Sequence, residues 1–188
     1  ESSAATATAR PDAPEAPYNR GMSSVEHRQQ SLASVSVHVV TVSDTRTPDT
    51  DTSGRLIAEL LHAAGHHVHR RTLLRDEPDE VRQLVLDLSH APGLDVVIST
   101  GGTGITSRDG TFEAIDGVLT KRLPGFGEIF RALSYQQIGA AAMLSRATAG
   151  LVERTVVIVL PGSQHAVRLA LDELVLPEIG HLVREARR

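Results

Sequence analysis

The sequence predicts an α/β domain with a mostly parallel sheet and helices on both faces. Short β-branched runs alternate with stretches whose apolar residues recur at helical spacing, the order that builds βαβ units. Two of the runs, around Val96-Val97-Ile98 and Val156-Val157-Ile158-Val159-Leu160, are continuously apolar, as strands buried on both faces are. Apolar residues make up 40% of the chain but aromatics only 3%, with no Trp. The core must then be Val, Leu, Ile and Ala, which suits this class better than a β-sandwich. With 188 residues the chain holds one domain with a real core and a tail.

Residues 1–34 are rich in Ala, Ser, Thr and Pro, and are expected to be a disordered extension before a domain at 35–188. The first strand is Val35 to Val42, ending in Ser43-Asp44-Thr45. A polar loop to Ser53 precedes a helix from about Gly54 to Ala64. Leu56, Ile57, Leu60 and Leu61 are its apolar face, Thr52 or Ser53 its N-cap and Gly65 its stop. The second strand, His66 to Leu74, is more polar and reads as nearer an edge. Pro78 suits the first turn of the next helix, which carries Val81, Leu84, Val85 and Leu88 on one face. The third strand follows Asp95.

After Asp109 a short helix covers Thr111 to Val118, a turn Lys121 to Gly125, and a helix Gly127 to Gln137. Residues 138–148 are small and apolar around Ser145-Arg146. A buried strand, Val156 to Leu160, ends in Pro161-Gly162-Ser163. The last helix starts near Gln164 and is kinked or restarted by Pro177.

Parallel strands place their C-terminal ends along one sheet edge, where such sheets bind ligands. The loops 43–53, 75–78, 101–111 and 161–164 should therefore meet. Together they supply glycine backbone, hydroxyls and the carboxylates Asp44, Asp76 and Asp109. The sharpest of these loops is Gly101-Gly102-Thr103-Gly104, where bare backbone can turn its N–H groups toward phosphate.

Composition excludes several functions. A net charge of −4 gives no electrostatic case for nucleic acid or an anionic membrane. The absence of cysteine removes thiolate catalysis, zinc-thiolate sites and disulfides. No apolar run reaches the roughly 18 residues of a membrane span, and the first 30 residues lack a signal-peptide centre, so the expected location is the cytoplasm. The glycine loop is no P-loop, since Lys121 is the only lysine. It is no dinucleotide fingerprint either, since Ser107 stands where the third glycine belongs.

Asp76 and Asp109 each precede a helix and read either as N-caps or as ligands of Mg²⁺, which takes one or two carboxylates plus waters and phosphates. Arg146, between apolar runs, reads as a phosphate ligand or one half of a structural salt bridge. His66, His67 and His69 read as a solvated edge strand. His165 follows the Pro161-Gly162-Ser163 turn and could line the site.

Several blocks, in order, resemble the molybdopterin-binding domain of molybdenum cofactor biosynthesis proteins. They are Thr41 to Arg46, Asp51-Thr52-Ser53-Gly54, Ser99 to Gly104, Ser107-Arg108-Asp109, Thr111 to Ala114, Leu123 to Glu128, Met143 to Ala147 and Leu160 to Ser163. Within that family Phe112, Ser134-Tyr135 and Ile138-Gly139 resemble the protein B branch. The resemblance implies a three-layer α/β/α sandwich that assembles as a trimer, or as a hexamer of two trimers. It implies adenylylation of molybdopterin by ATP with Mg²⁺. The alternative is a non-catalytic molybdopterin-binding oligomer that stores or hands on the pterin. Carried over, Asp76 and Asp109 match the family's two key acids. Gly101, Gly102, Thr103 and Gly104 match its phosphate loop, and Ser43 and Asp44 its nucleotide-side loop. Glu113, Ser145, Pro161, Gly162 and Ser163 match other site-lining positions. Gly110 stands where the family usually has valine or another larger residue, which implies a looser backbone beside Asp109.

Overall fold

A computed structural model describes residues 31–188. The expected extension lies outside the described residues except for its last four. Of these, Leu32 already packs on the core, its amide donating to the Gly180 carbonyl at 3.3 Å.

Six strands form one sheet: β1 Ser36–Val42, β2 His67–Leu74, β3 Val96–Thr100, β4 Lys121–Arg122, β5 Thr148–Val152 and β6 Thr155–Leu160. Their order is β2-β1-β3-β6-β5-β4. The first four run parallel, and β5 and β4 join antiparallel. The helices are α1 Thr52–Ala63, α2 Pro78–Ser89, α3 Thr111–Asp116, α4 Pro124–Ile138, α5 Gln164–Ala170 and α6 Leu176–Arg187.

Alternation along the strands creates two cores. Val37, Val39, Ile98 and Ile158 face α1, α4, α5 and α6, where Ile57, Phe130, Val167 and Ile179 meet them. Val40, Val97, Val157 and Val159 face α2 and α3, where Val81, Val85 and Ile115 meet them. The result is the three-layer sandwich. Each fully buried aliphatic side chain contributes about 1.5–3 kcal/mol, so a mostly aliphatic core with Phe130 in it suffices without Trp. Among the described residues no helix is long and apolar enough to cross a membrane.

The structure corrects the sequence reading in four places. Residues 121–122 form the edge strand β4, and α4 begins at Pro124, a proline suited to the first helical turn. Residues 139–144 form a 3-10 helix. β5 had no sequence signal: Thr148-Ala149-Gly150-Leu151-Val152 is small-residue-rich, and its turn to β6 uses Glu153 at φ 54° rather than a glycine. Gly150 is required there, because a Cβ would overlap the Lys121 carbonyl.

Finally, the N-cap of α1 is Asp51, whose Oδ1 accepts from the Gly54 amide at 2.9 Å. Its Oδ2 accepts from Thr41 Oγ1 at 3.1 Å and pairs with Arg71 of β2 at 2.7 Å. This buried network fastens the end of the loop after β1. Pro177 does follow a break, a π-helical segment Leu171–Val175 between α5 and α6.

His38 on β1 is buried, with Nε2 2.8 Å from Thr72 Oγ1 and Nδ1 without a partner among the described residues. Burial, and then the positive charge of His69 and Arg70, pushes its pKa down to about 4. An unfolded chain takes up this proton near pH 6.5. The folded chain therefore keeps full stability above that pH and loses it as pH falls toward 4. The expected loss across this window is up to about 3 kcal/mol. Urea titrations of wild type and His38→Leu at stepped pH check it: the variant's profile should be flatter by that amount between pH 6.5 and 4.

Candidate functional site

The four loops following the parallel strands meet at one sheet edge. Ser53 Oγ donates to the Gly162 carbonyl at 2.7 Å, joining the loops after β1 and β6. Thr100 Oγ1 donates to the Pro161 carbonyl at 2.9 Å. The Asp76 amide donates to Asp44 Oδ1 at 3.1 Å, joining the loops after β2 and β1. Among these loops lies a cavity of about 280 Å³, lined by Thr41, Ser43, Arg46, Ser53, Thr100, residues 101–104, Asp109 and Gly162.

The glycine loop forms the floor of that cavity. Gly101 and Gly102 both have positive φ, 97° and 63°. The Gly101 amide returns to the Leu160 carbonyl at 3.1 Å, and the Gly102 carbonyl accepts from the Thr111 amide at 3.1 Å. The Gly102 and Thr103 amides, in contrast, donate to no described residue. Two successive free N–H groups beside a cavity are suited to anion oxygens.

Both key aspartates flank this loop, and neither caps the helix that follows it. Asp76 is buried; its Oδ1 accepts from Thr111 Oγ1 at 3.0 Å and from the Gly110 amide at 3.4 Å. It thus serves the start of α3, not of α2, whose own N-cap is Glu77. Asp109 Oδ2 accepts from the Thr106 amide at 3.0 Å and hydroxyl at 2.5 Å. These bonds, the Thr106 hydroxyl first, hold its pKa below the usual carboxylate range. Asp76 behaves oppositely. Burial raises its pKa, the bonds from Thr111 and Gly110 oppose that, and the charges of Asp109 and Asp44 raise it further.

A divalent cation fits this pair. Asp76 Oδ2 accepts no hydrogen bond from the described residues, and a cation would relieve the repulsion among its neighbours. No cluster of three or more His, Cys, Asp or Glu that could hold a metal occurs among the described residues. Two carboxylates could hold a divalent cation only with further ligands such as phosphates and waters.

The remaining predicted residues lie around the cavity in three groups. Asp44 is engaged in an ion network: its Oδ2 accepts from Arg108 Nε at 2.9 Å, and Arg108 also reaches Glu77 at 2.5 Å. It positions Asp76 rather than lining the cavity. Glu113 and Arg146 hold each other through two hydrogen bonds, at 2.5 and 3.1 Å. Arg146 further donates to the Thr103 carbonyl at 2.9 Å and stacks on Phe112 at 4.6 Å. It braces the glycine loop from outside. Ser145, Pro161 and Ser163 line a separate cavity of about 340 Å³ together with His165. Ser163 is also the N-cap of α5.

Sequence reasoning missed Thr41, Arg46, Ser53 and Thr100 as cavity-lining residues, although all four lie in motif blocks that carried the resemblance.

Gly110 has a different role from the one expected. Its φ is an ordinary −125°, and a Cβ would overlap the ring of Pro78. The glycine lets the starts of α2 and α3 pack, and its amide faces Asp76, so the backbone beside Asp109 is supported rather than loose. Gly110→Val is expected to cost about 1–3 kcal/mol through overpacking. Pro78→Ala in the same chain should recover part of that loss, which a double-mutant cycle of urea unfolding would measure.

Known proteins resemble this chain over most of its length. A family model described as "Probable molybdopterin binding domain" matches residues 38–181. Molybdenum cofactor biosynthesis protein B of Bacillus cereus is 49% identical over 168 residues, covering 89% of this chain and 99% of that protein. A crystal structure of a molybdenum cofactor biosynthesis protein B superposes with a TM-score of 0.80 at 49% identity, over 82% of this chain and 97% of that one. The tungsten cofactor synthesizing protein MoaB from Pyrococcus furiosus superposes with a TM-score of 0.74 at 40% identity, over 84% and 100%.

Proposed function

Because the chain belongs to the molybdopterin-binding domain family of molybdenum cofactor biosynthesis proteins, we propose that it binds molybdopterin and adenylylates it with Mg-ATP. A phosphate oxygen of molybdopterin attacks the α-phosphorus of ATP. The new P–O–P bond forms as the α–β bond breaks, and pyrophosphate leaves with the electron pair. Transfers of this kind need positioning and charge stabilisation more than covalent help from the protein.

The observation that carries the reading is the pair of free amides at Gly102 and Thr103, set beside Asp76 and Asp109 at the sheet edge. The amides and the Thr103 side chain hold phosphate oxygens. Asp76 and Asp109 would hold Mg²⁺, which when bound neutralises phosphate charge. Arg146 serves by fixing the Thr103 carbonyl, because Glu113 already occupies its guanidinium.

The same reading includes a homo-oligomer, a trimer or a hexamer, acting in the cytoplasm. Supporting it is an apolar surface on α4 and the 3-10 helix, where Met143 is 74% and Tyr135 63% exposed, with Ile138 and Leu144 beside them. Sedimentation should give a multiple of three protomers.

The activity is tested with purified protein, Mg²⁺, ATP and molybdopterin. Pyrophosphate and adenylylated pterin are expected in equal amounts. Bound pterin with neither product would overturn the enzymatic reading and leave a carrier.

A further inference from the structure

We propose that Arg46, not Arg146, is the cation that binds phosphate in the 280 Å³ cavity. This rests on the reading of that cavity as a phosphate site and assigns it a residue and a ligand portion. The ligand portion is the polyphosphate end of a nucleotide.

The cavity wall carries one cationic side chain among the described residues, Arg46, and one carboxylate, Asp109. Three other arginines around the site are committed to acids. Arg108 pairs with Asp44 and Glu77, Arg146 with Glu113 and Arg71 with Asp51. Arg46 meets no carboxylate among the described residues. Its Nη1 donates to Thr52 Oγ1 at 2.8 Å and to the Thr50 carbonyl at 3.3 Å, both neutral acceptors. Its Nε and Nη2 donate to none. The residue is half-buried. A half-buried guanidinium with neutral partners and free donors on a cavity wall is suited to an anion, and its planar fork matches phosphate oxygens.

The stem is held in place before any ligand arrives. The Arg46 amide donates to Ser43 Oγ at 3.2 Å, and the Thr47 amide donates to Thr50 Oγ1 at 2.8 Å. The Asp51 amide closes the loop on the Thr47 carbonyl at 2.9 Å. A braced loop loses little freedom on binding.

The cavity's donors select the ligand portion, since a guanidinium fork and bare backbone amides both suit phosphate oxygens. Together with Arg46, the free amides of Gly102 and Thr103 complete a set of donors for phosphate oxygens.

Isothermal titration with inorganic pyrophosphate in magnesium chloride tests the assignment. Arg46→Met is expected to weaken binding about tenfold or more, and Arg46→Lys by less, since it keeps the charge but loses the fork. Arg55→Met removes a nearby charge whose Nη2 contact is the Asp49 carbonyl, and it should stay within about twofold of wild type. Urea midpoints verify that each variant is folded; should Arg46→Met be unstable, weakened binding by Arg46→Lys carries the test. Equal binding by the Arg46 variants and wild type would overturn the assignment while leaving the phosphate site intact. An equal loss in Arg55→Met would overturn it as a general charge effect. No binding by wild type would overturn the phosphate reading itself, and the assignment with it.

Discussion

Asp76→Asn is expected to lower adenylyl transfer to molybdopterin by about a hundredfold or more while leaving the fold at least as stable. The substitution keeps the shape and an oxygen acceptor for Thr111 Oγ1 and the Gly110 amide. What it removes is a negative charge in a buried place. That charge is disfavoured in the protein alone, first by burial and then by Asp109 and Asp44. A group whose folded pKa lies above its unfolded value binds its proton more readily when folded. Its ionised form therefore opposes folding at neutral pH. The urea midpoint of Asp76→Asn should equal or exceed that of wild type. Added Mg²⁺ with a nucleotide should raise the wild-type midpoint and leave the variant's unchanged. The combination of lost turnover, lost magnesium response and undiminished stability marks a site in which function is held against stability. Full turnover by the variant would remove Asp76 from the reaction.

Gly101→Ala is expected to destabilise the protein by about 3–5 kcal/mol, a large share of the roughly 5–15 kcal/mol by which domains are ordinarily stable. Gly101 has φ 97°, a conformation that side chains rarely adopt. A Cβ there would also overlap the Val42 carbonyl at the end of β1. That carbonyl belongs to an interior strand and cannot move without disturbing β2 and β3 on either side. Gly162 packs against the same α-carbon from the end of β6, so three strand ends converge where no side chain fits. Gly125→Ala is the matched control. It lies in the first turn of α4, has no positive φ and has open space around it. It should gain about 0.4–1 kcal/mol by restricting the unfolded chain. Urea midpoints of the two variants should move in opposite directions.

The sequence alone determined the parts of this protein that depend on neighbours in the chain. Alternating β-branched runs and helical periodicity placed β1, β3, β6, α1 and α2, because burial of one face is written in local spacing. The same order of elements placed four loops at one edge, because parallel strands share a direction. The glycine loop was legible because a buried strand breaking into glycine is a local event.

Tertiary structure decided whatever depends on which distant residue arrives. β4 and β5 exist through antiparallel pairing with each other and β6, not through their own small or charged residues. Asp76 looked like a cap for the helix after it, yet its carboxylate serves Thr111, 35 residues away. Gly110 is needed because Pro78 packs on it. Arg46 and Arg146 each follow a small hydroxyl residue, Thr45 and Ser145, and neither local sequence says which is free for an anion. Which of them is free for an anion was decided by Glu113 coming to Arg146 from 33 residues away, while no acid reaches Arg46 among the described residues. A charge is available for binding only when folding leaves it without a counter-ion, and that is a property of the packed chain.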